Sequence, residues 1–116
     1  MPVEKSILNN SACFFMKKGS KLSQIDLSQL KSTPYVWIIN RVIVHPKLRN
    51  QGVAARLIQE ACTWADESNI TLMLYINPYG DLNYAQLCKF YAKFGFADLK
   101  SMPGVLQRIP QKEGRQ

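Results

Sequence analysis

The sequence predicts an α/β domain built around a strand–helix–strand unit with parallel strands. Residues 35–44, YVWIINRVIV, have the β-branched and aromatic composition of a strand covered on both faces, except around Asn40-Arg41. After Gly52 the apolar period becomes that of an amphipathic helix, and residues 70–76, ITLMLYI, form a second apolar strand. Because a strand, a helix and a strand at this spacing make a crossover connection, the two strands are predicted to be parallel.

The first helix carries a single apolar stripe and is expected to end at Ser68-Asn69. The stripe follows the helical repeat and comprises Ala54, Leu57, Ile58, Ala61, Cys62 and Ala65.

The N-terminal third is less regular. Residues 11–16, SACFFM, are predicted to form a short strand, with a turn at 17–20. Residues 22–31 fit either a strand, in which Ile25 and Leu27 alternate, or a helix. As a whole, the first 34 residues have room for a strand or two and one short helix.

The C-terminal third is predicted to hold a second helix and two strands. Asn83 is a suitable N-cap, and Gly95 a suitable left-handed terminator. Residues 96–99 and 105–109 are expected to form a closing pair of strands. One face of the helix would carry Tyr84, Leu87, Cys88 and Tyr91.

Length and composition fit a single domain over residues 1–116, with its core at about 35–109 and a basic polar tail at 110–116. No apolar run is long enough to cross a bilayer, and the first residues lack the order of a secretory signal. Cys13, Cys62 and Cys88 are odd in number and unpaired in spacing, which favours free buried thiols in a reducing cytoplasm. With His45 as the single histidine, a zinc site has too few ligands.

The net charge of +7 favours acidic partners, namely nucleic acid, an anionic cofactor or an acidic protein surface. The basic residues are scattered, which is typical of a solvated surface rather than of a dedicated nucleic-acid face.

The segment 42–58, VIVHPKLRNQGVAARLI, leads from the first strand through a basic turn into the helix. A helix start leaves several main-chain N–H groups without partners, and the helix dipole adds positive charge, so a phosphate suits that position. Gly52 and the small Ala54 would let a phosphate approach the main chain, and Arg49 adds a fixed charge. The pattern also fits an ordinary helix start with glycine in a tight turn.

Two motifs together resemble the GNAT (GCN5-related N-acetyltransferase) superfamily. Residues 49–54, Arg-Asn-Gln-Gly-Val-Ala, are similar to its acetyl-CoA-binding motif, Gln/Arg-x-x-Gly-x-Gly/Ala. Residues 90–96, FYAKFGF, resemble its second signature, with Tyr91, Gly95 and Phe96 in the Tyr-x-x-x-Gly-Phe positions. The resemblance covers about residues 35–109.

The resemblance implies a GNAT-like mixed central β-sheet with splayed central parallel strands flanked by helices, and a shortened N-terminal region. It implies acetyl-CoA as cosubstrate and no metal. By position, the main chain of Val42, Ile43 and Val44 would bind the pantetheine arm, and Asn83 resembles an asparagine that often touches the cofactor. The pyrophosphate would lie near Arg49, on the main-chain N–H groups of the turn formed by Asn50, Gln51, Gly52, Val53, Ala54 and Ala55.

The implied activity is transfer of an acetyl group from acetyl-CoA to a primary amine. Tyr91 matches the usual general acid of the family, although a tyrosine on this helical stripe also fits a core position. A general base is not identifiable, because residues 37–44 and 72–80 contain no carboxylate. Tyr75 stands where some relatives carry that acid, and Asp81 is the nearest acidic residue. His45, next to Pro46, is expected to be structural rather than the base.

The short N-terminal region suits an acceptor that is a protein or an aminoacylated RNA, or a pocket completed by a second subunit in a homodimer. Two alternatives come from other classes. One is a non-catalytic GNAT-fold binding module for a protein or nucleic-acid partner, with a degenerate active site. The other is a nucleic-acid binder that depends on charge alone.

Overall fold

The computed structural model of the protein describes residues 2–76 and 82–111. These residues form one seven-stranded sheet and two α-helices, with a short 3₁₀ turn at Pro46–Leu48. The strands are β1 (Glu4–Ile7), β2 (Ser11–Lys18), β3 (Lys21–Gln29), β4 (Val36–Ile43), β5 (Thr71–Tyr75), β6 (Ala97–Asp98) and β7 (Val105–Arg108). The helices are α1 (Val53–Glu67) and α2 (Tyr84–Ala92).

The sheet order is β1-β2-β3-β4-β5-β7-β6. Strands β4 and β5 are parallel, from Val36 opposite Thr71 to Ile39 opposite Leu74, which confirms the predicted strand–helix–strand unit. The other neighbouring strands are antiparallel, so the sheet is mixed.

The N-terminal third contains three strands. Residues 22–31, left open between strand and helix, lie mostly in β3, where Ser23, Ile25 and Leu27 are buried. Residues 2–34 contain no helix, although the sequence leaves room for a short one there. A tight turn connects β1 to β2, and in it the Leu8 N–H donates to Ser11 O.

The predicted closing strands are present but shorter, since β6 contains only two residues and β7 ends at Arg108.

The main core lies between α1 and one face of the sheet. The stripe predicted for α1 is buried from Leu57 to Ala65, but at the helix start Val53 is the buried residue and Ala54 is half-buried. Trp64 of α1 packs edge-on against Trp37 of β4, with ring centroids 5.0 Å apart. This contact fixes the helix on the strand that precedes it.

Strand β4 contains a β-bulge at Asn40. Asp26 of β3 lies opposite Arg41, but its neighbour Leu27 lies opposite Ile39, so Asn40 is an extra residue on β4. Without the bulge Arg41 would face the core beside Ile25. Because burying an unpaired arginine costs several kcal/mol, the bulge is the favoured arrangement.

The bulge also ends the covered part of β4. Val36–Ile39 are largely buried and Asn40 and Arg41 are exposed, as expected, but Ile43 is also exposed, so the expectation of a strand covered on both faces outside Asn40-Arg41 is wrong at this residue. Among the described residues no strand pairs with the β5 side of β4 beyond Ile39. Within the described residues, the pairing of the two central parallel strands ends at Ile39 and Leu74. The splay that the resemblance implies stays a prediction.

The three cysteines are free thiols. The prediction that all are buried is wrong, since Cys62 is buried but Cys13 and Cys88 are half-buried. Burial raises the pKa of Cys62 to about 11, and burial with a hydrogen bond to Asp26 raises the pKa of Cys13 to about 11. In the described ranges, no helix is both long and apolar enough to cross a membrane.

A buried ion pair joins α1 to β7. Arg108 is 3% exposed, and its Nη1 and Nη2 lie 2.7 and 2.9 Å from the two carboxylate oxygens of Asp66. Its Nε donates to Phe94 O at 2.6 Å, in the turn after α2. Partial burial opposes ionisation of Asp66, but the hydrogen bonds from Arg108 and from the Gln111 N–H outweigh it and lower the pKa of the carboxyl.

Replacing Asp66 by asparagine should destabilise the fold. The substitution leaves Arg108 buried with an unpaired charge, so we expect a loss of about 3 kcal/mol in the free energy of unfolding at pH 7, measured by urea denaturation. Glu67→Gln, on the adjacent exposed position, is the control and should change stability by less than about 0.5 kcal/mol.

The effect of Asp66→Asn should depend on pH. Because the folded-state pKa of Asp66 is lowered, its contribution is complete above the unfolded pKa and is lost as pH falls through the folded pKa. The stability gap between the wild type and Asp66→Asn should therefore narrow below about pH 4. A gap that stays constant down to acid unfolding would contradict this assignment.

Candidate functional site

The loop after β4 is tied to the sheet. The His45 N–H donates to the buried Ser23 Oγ at 2.9 Å, and the imidazole Nδ1 accepts from the Lys47 N–H at 3.1 Å. Leu48 is buried and anchors the 3₁₀ turn. Because Nδ1 accepts a hydrogen bond here, His45 caps this turn, in agreement with the structural role expected for it.

In the segment that follows the 3₁₀ turn, two residues adopt left-handed backbone conformations. Asn50 has φ 64° and Gly52, the N-cap of α1, has φ 77°. Asparagine and glycine are the residues that adopt this region most readily. A Cβ placed on Gly52 would meet no atom within 4 Å, so the space beside this main chain is open.

The two helices begin differently. At α2 the Asn83 Oδ1 accepts from the Gln86 N–H and the Gln86 Oε1 accepts from the Asn83 N–H, both at 2.9 Å, which makes a complete capping box. At α1 no side chain of the described residues caps the helix, and the first turn contains no acidic residue. The N–H groups at the start of α1 and its dipole are therefore left to an external acceptor.

The basic side chains predicted at this turn are exposed around it. Arg49 Nε donates to Val44 O at 3.3 Å, and Gln51 Nε2 donates to Lys47 O at 3.2 Å. These contacts hold the loop between the end of β4 and α1. Val53 is buried and Ala54 and Ala55 are half-buried, so the helix start rests on the core through small or apolar side chains.

The main chain of Val42 and Ile43 belongs to the second half of β4 and leads, through Val44, to this loop. On one side it is paired with β3, where Val42 lies opposite Ile25 and Ile43 opposite Gln24. The other side has no strand partner among the described residues beyond Ile39. The predicted pantetheine-binding strand and the predicted phosphate turn thus lie on one continuous segment of the chain.

Tyr91 is half-buried on α2 and its ring packs edge-on against Phe90 and Phe96, at 5.3 and 5.6 Å between centroids. The predicted packing role of this tyrosine is therefore present. Tyr84 lies two helical turns earlier on the predicted face and is exposed. The pKa of its phenol is raised by desolvation and, to a smaller extent, by the neighbouring Cys88. Asn83 uses its Oδ1 in the cap, so a cofactor contact from this residue would come from Nδ2.

The structure describes only part of the candidates for a general base. Tyr75 ends β5 and is 62% exposed, while Asp81 lies outside the described residues. The structure instead places a carboxylate on the neighbouring strand, where Asp26 forms an ion pair with Arg41. Sequence reasoning missed this pair because residues 22–31 were undecided between strand and helix. The signal was the two adjacent polar residues 40 and 41, which interrupt the apolar alternation of β4.

These features define an α/β domain in which the pairing of the parallel central strands ends at Ile39 and the first of these strands leads to a helix start without a side-chain cap, an arrangement suited to a ligand with a phosphate group. The sequence matches the family model of the acetyltransferase (GNAT) domain over residues 9–98, and the chain belongs to that family. No curated protein matches the sequence.

Solved structures share the fold. A candidate streptothricin acetyltransferase from Bacillus anthracis in complex with acetyl coenzyme A is 24% identical, with a TM-score of 0.66 over 88% of this chain and 64% of that chain. The PaiA N-acetyltransferase from Thermoplasma acidophilum, in complex with coenzyme A, is 17% identical, with a TM-score of 0.66 over 86% and 61%. The ribosomal-protein-S18-alanine N-acetyltransferase from Escherichia coli is 14% identical, with a TM-score of 0.71 over 95% and 76%. The chain thus spans less than two thirds of the first two chains.

His45→Asn should preserve the loop, because an asparagine oxygen can accept the Lys47 N–H in place of the imidazole, whereas His45→Ala should cost about 1 kcal/mol in the free energy of unfolding. Thermal or urea denaturation of both variants checks this. Acetyl transfer by His45→Asn should stay within a few-fold of the wild type. A loss of about a hundredfold or more with unchanged stability would instead identify His45 as a general base.

Proposed function

We propose that this protein is an acetyl-CoA-dependent N-acetyltransferase that acts on a primary amine. The observation that carries the proposal is the contrast between the two helix starts: α2 is capped by its own side chains, while α1 has no side-chain cap. The family to which the chain belongs supports acetyl transfer as the class of reaction.

The residues present fit acetyl-CoA. The pyrophosphate would be held by main-chain N–H groups of the turn from Asn50 to Ala55, where the space beside Gly52 is open and Arg49 is exposed nearby. The pantetheine arm would lie along the main chain of residues 42–44, where the strand borders the gap. Asn83 is a further candidate contact through Nδ2.

When bound, acetyl-CoA supplies a thioester that an amine can attack, with a thiolate as leaving group. An alkylammonium, with a pKa near ~10.4, must lose a proton before it can attack. Tyr91 is proposed to donate a proton to the departing sulfur, whose thiol has a pKa near ~8.5. Edge-on packing by Phe90 and Phe96 would fix the orientation of its ring.

The acceptor is proposed to be an amine of a protein or an aminoacylated RNA. The net charge of +7 supports an acceptor with acidic character. The half-exposed face of β2–β4 supports an acceptor site that is accessible from solvent, or one that a second copy of the chain completes.

A second candidate function is a non-catalytic binding module on the same fold. It is favoured by one observation, that the described residues of β4 and β5 carry no carboxylate. The two candidates separate in one experiment: cofactor binding without release of free CoA, across a broad panel of amines, would identify the binding module.

Acetyl-CoA should stabilise the folded chain. At a concentration about 100 times its dissociation constant, a ligand that binds only the native state adds about 2.7 kcal/mol, which a thermal-shift or denaturation series measures. Gly52→Val should remove this effect, raising the dissociation constant at least about a hundredfold, since a branched side chain fills the space from which the phosphate would approach and opposes the backbone angle.

Gly19→Val is the matched control. Gly19 also has a positive φ, 63°, and open space around its Cβ position, but it lies in the β2–β3 turn. Both variants should lose similar intrinsic stability, about 1–2 kcal/mol, and Gly19→Val alone should keep the response to acetyl-CoA. An unchanged response in Gly52→Val would remove the phosphate turn from the proposal.

Tyr91→Phe should reduce turnover by about a hundredfold or more while leaving the affinity for acetyl-CoA within a few-fold, because the ring packing is retained and the phenolic proton donor is lost. Steady-state kinetics and a binding titration check the two parts. Tyr84→Phe, on the same helix, is the control and should keep turnover. If Tyr84→Phe is the inactive variant, or if Tyr91→Phe loses affinity instead of turnover, the assignment of the acid is wrong.

A further inference from the structure

An ion pair lies on the sheet face opposite α1, close to Ile39, where the pairing of β4 with β5 ends. Arg41 Nη2 and Nε lie 2.8 and 3.0 Å from the same oxygen, Oδ2, of Asp26. Asp26 stands between the buried Ile25 and Leu27, so its side chain faces away from the α1 core. The Arg41 and Asp26 side chains are 57% and 27% exposed, so solvent and ligands can reach the pair.

Asp26 is held by three side chains. Gln24 Nε2 lies 3.0 Å from each carboxylate oxygen, Arg41 contacts Oδ2, and the Cys13 thiol also makes a hydrogen bond. Partial burial opposes ionisation, but these hydrogen bonds outweigh it and lower the pKa of the carboxyl. Asp26 is therefore a poor proton acceptor and a good anchor for a guanidinium.

The geometry leaves one edge of Arg41 available for a ligand. Nε and one N–H of Nη2 point to Asp26, so the outer edge, made by Nη1 and the second N–H of Nη2, points away from it. Such a planar fork matches the two oxygens of a carboxylate or phosphate. An exposed ion pair by itself contributes only about 0–1 kcal/mol to stability. A gain in stability therefore does not explain why Gln24 and Cys13 also bind Asp26.

We propose that Arg41 binds a carboxylate or phosphate carried by the amine acceptor, with Asp26 as a positioning residue. The proposal rests on the proposed acetyl transfer, because it takes the main chain of residues 42–44 as the pantetheine site. Arg41 directly precedes that segment, so an acceptor whose anionic group lies on Arg41 holds its amine beside the gap between β4 and β5. The substrate class is thus a primary amine with an acidic group a short distance away.

The test compares matched acceptors and variants. Glycine is compared with glycinamide, and phosphoethanolamine with ethanolamine, so that each pair differs by one anionic group. The variants are Arg41→Gln, Arg41→Lys and Asp26→Asn, with Lys31→Gln as a control that removes an exposed cation from the β3–β4 connection. Glutamine is used at position 41 because an apolar residue could enter the core and remove the bulge at Asn40.

The wild type should prefer the anionic member of at least one pair by about tenfold or more in kcat/KM. The pair that shows the preference tells whether Arg41 binds a carboxylate or a phosphate. Arg41→Gln should abolish the preference by raising KM about ten- to hundredfold, while the affinity for acetyl-CoA and the rate with the neutral amine stay within about twofold. Arg41→Lys should be intermediate, because a point charge lacks the fork. Asp26→Asn should raise KM for the anionic acceptor with little change in kcat. Lys31→Gln should match the wild type.

Equal kcat/KM values within both pairs, or a preference that survives in Arg41→Gln, would overturn the proposal. If no amine is acetylated, the proposed function fails. A binding measurement then tests separately whether Arg41 forms an anion site. Glycine and phosphoethanolamine are then titrated into the ¹⁵N-labelled protein in the presence of CoA. A saturable shift of the amide signals of residues 26 and 41 that Arg41→Gln loses supports the site, and no shift in the wild type refutes it.

Discussion

The exclusion of Arg41 from the core is the constraint on which the rest of the structure depends. In a regular strand Trp37, Ile39 and residue 41 would share the face that packs on α1. The bulge at Asn40 moves Arg41 to the opposite face, beside Asp26, and brings Val42 opposite Ile25. A bulge bends its strand and increases the local twist, and β4 makes no further pair with β5 after Ile39–Leu74 among the described residues.

For the proposed function, this one inserted residue would set two parts of the proposed site. On one side of β4, the main chain beyond Ile39 has no strand partner among the described residues, and beyond Val44 the chain continues into the loop that ends at Gly52. On the exposed face, the insertion places the Arg41 guanidinium beside Asp26. Because the His45 N–H donates to Ser23 Oγ of β3, the loop is tied to the strand pair that carries the bulge.

The sequence predicts the parts of this fold that depend on local order. The change of period after Gly52, the capping asparagine at position 83 and the two family motifs indicate the strand–helix–strand unit and the phosphate turn. Residues 22–31 could not be assigned, because what makes them a strand is pairing with β2 and β4 rather than their own pattern. The Asp26–Arg41 and Asp66–Arg108 pairs were missed for the same reason: their members are 15 and 42 residues apart, and only the register of the sheet and the packing of α1 bring them together.

Helix α1 joins the two sides of the sheet. It is attached to the β4 side through Trp64 and Trp37 and to the β5–β7 side through Asp66 and Arg108. Both attachments lie in the second half of the helix, and its first turn rests on the core through the buried Val53. A site whose two sides are joined by one helix loses little entropy when a ligand enters, which would favour binding of the proposed pantetheine chain. The ion pair that is expected to stabilise the fold would therefore also preorganise the proposed site.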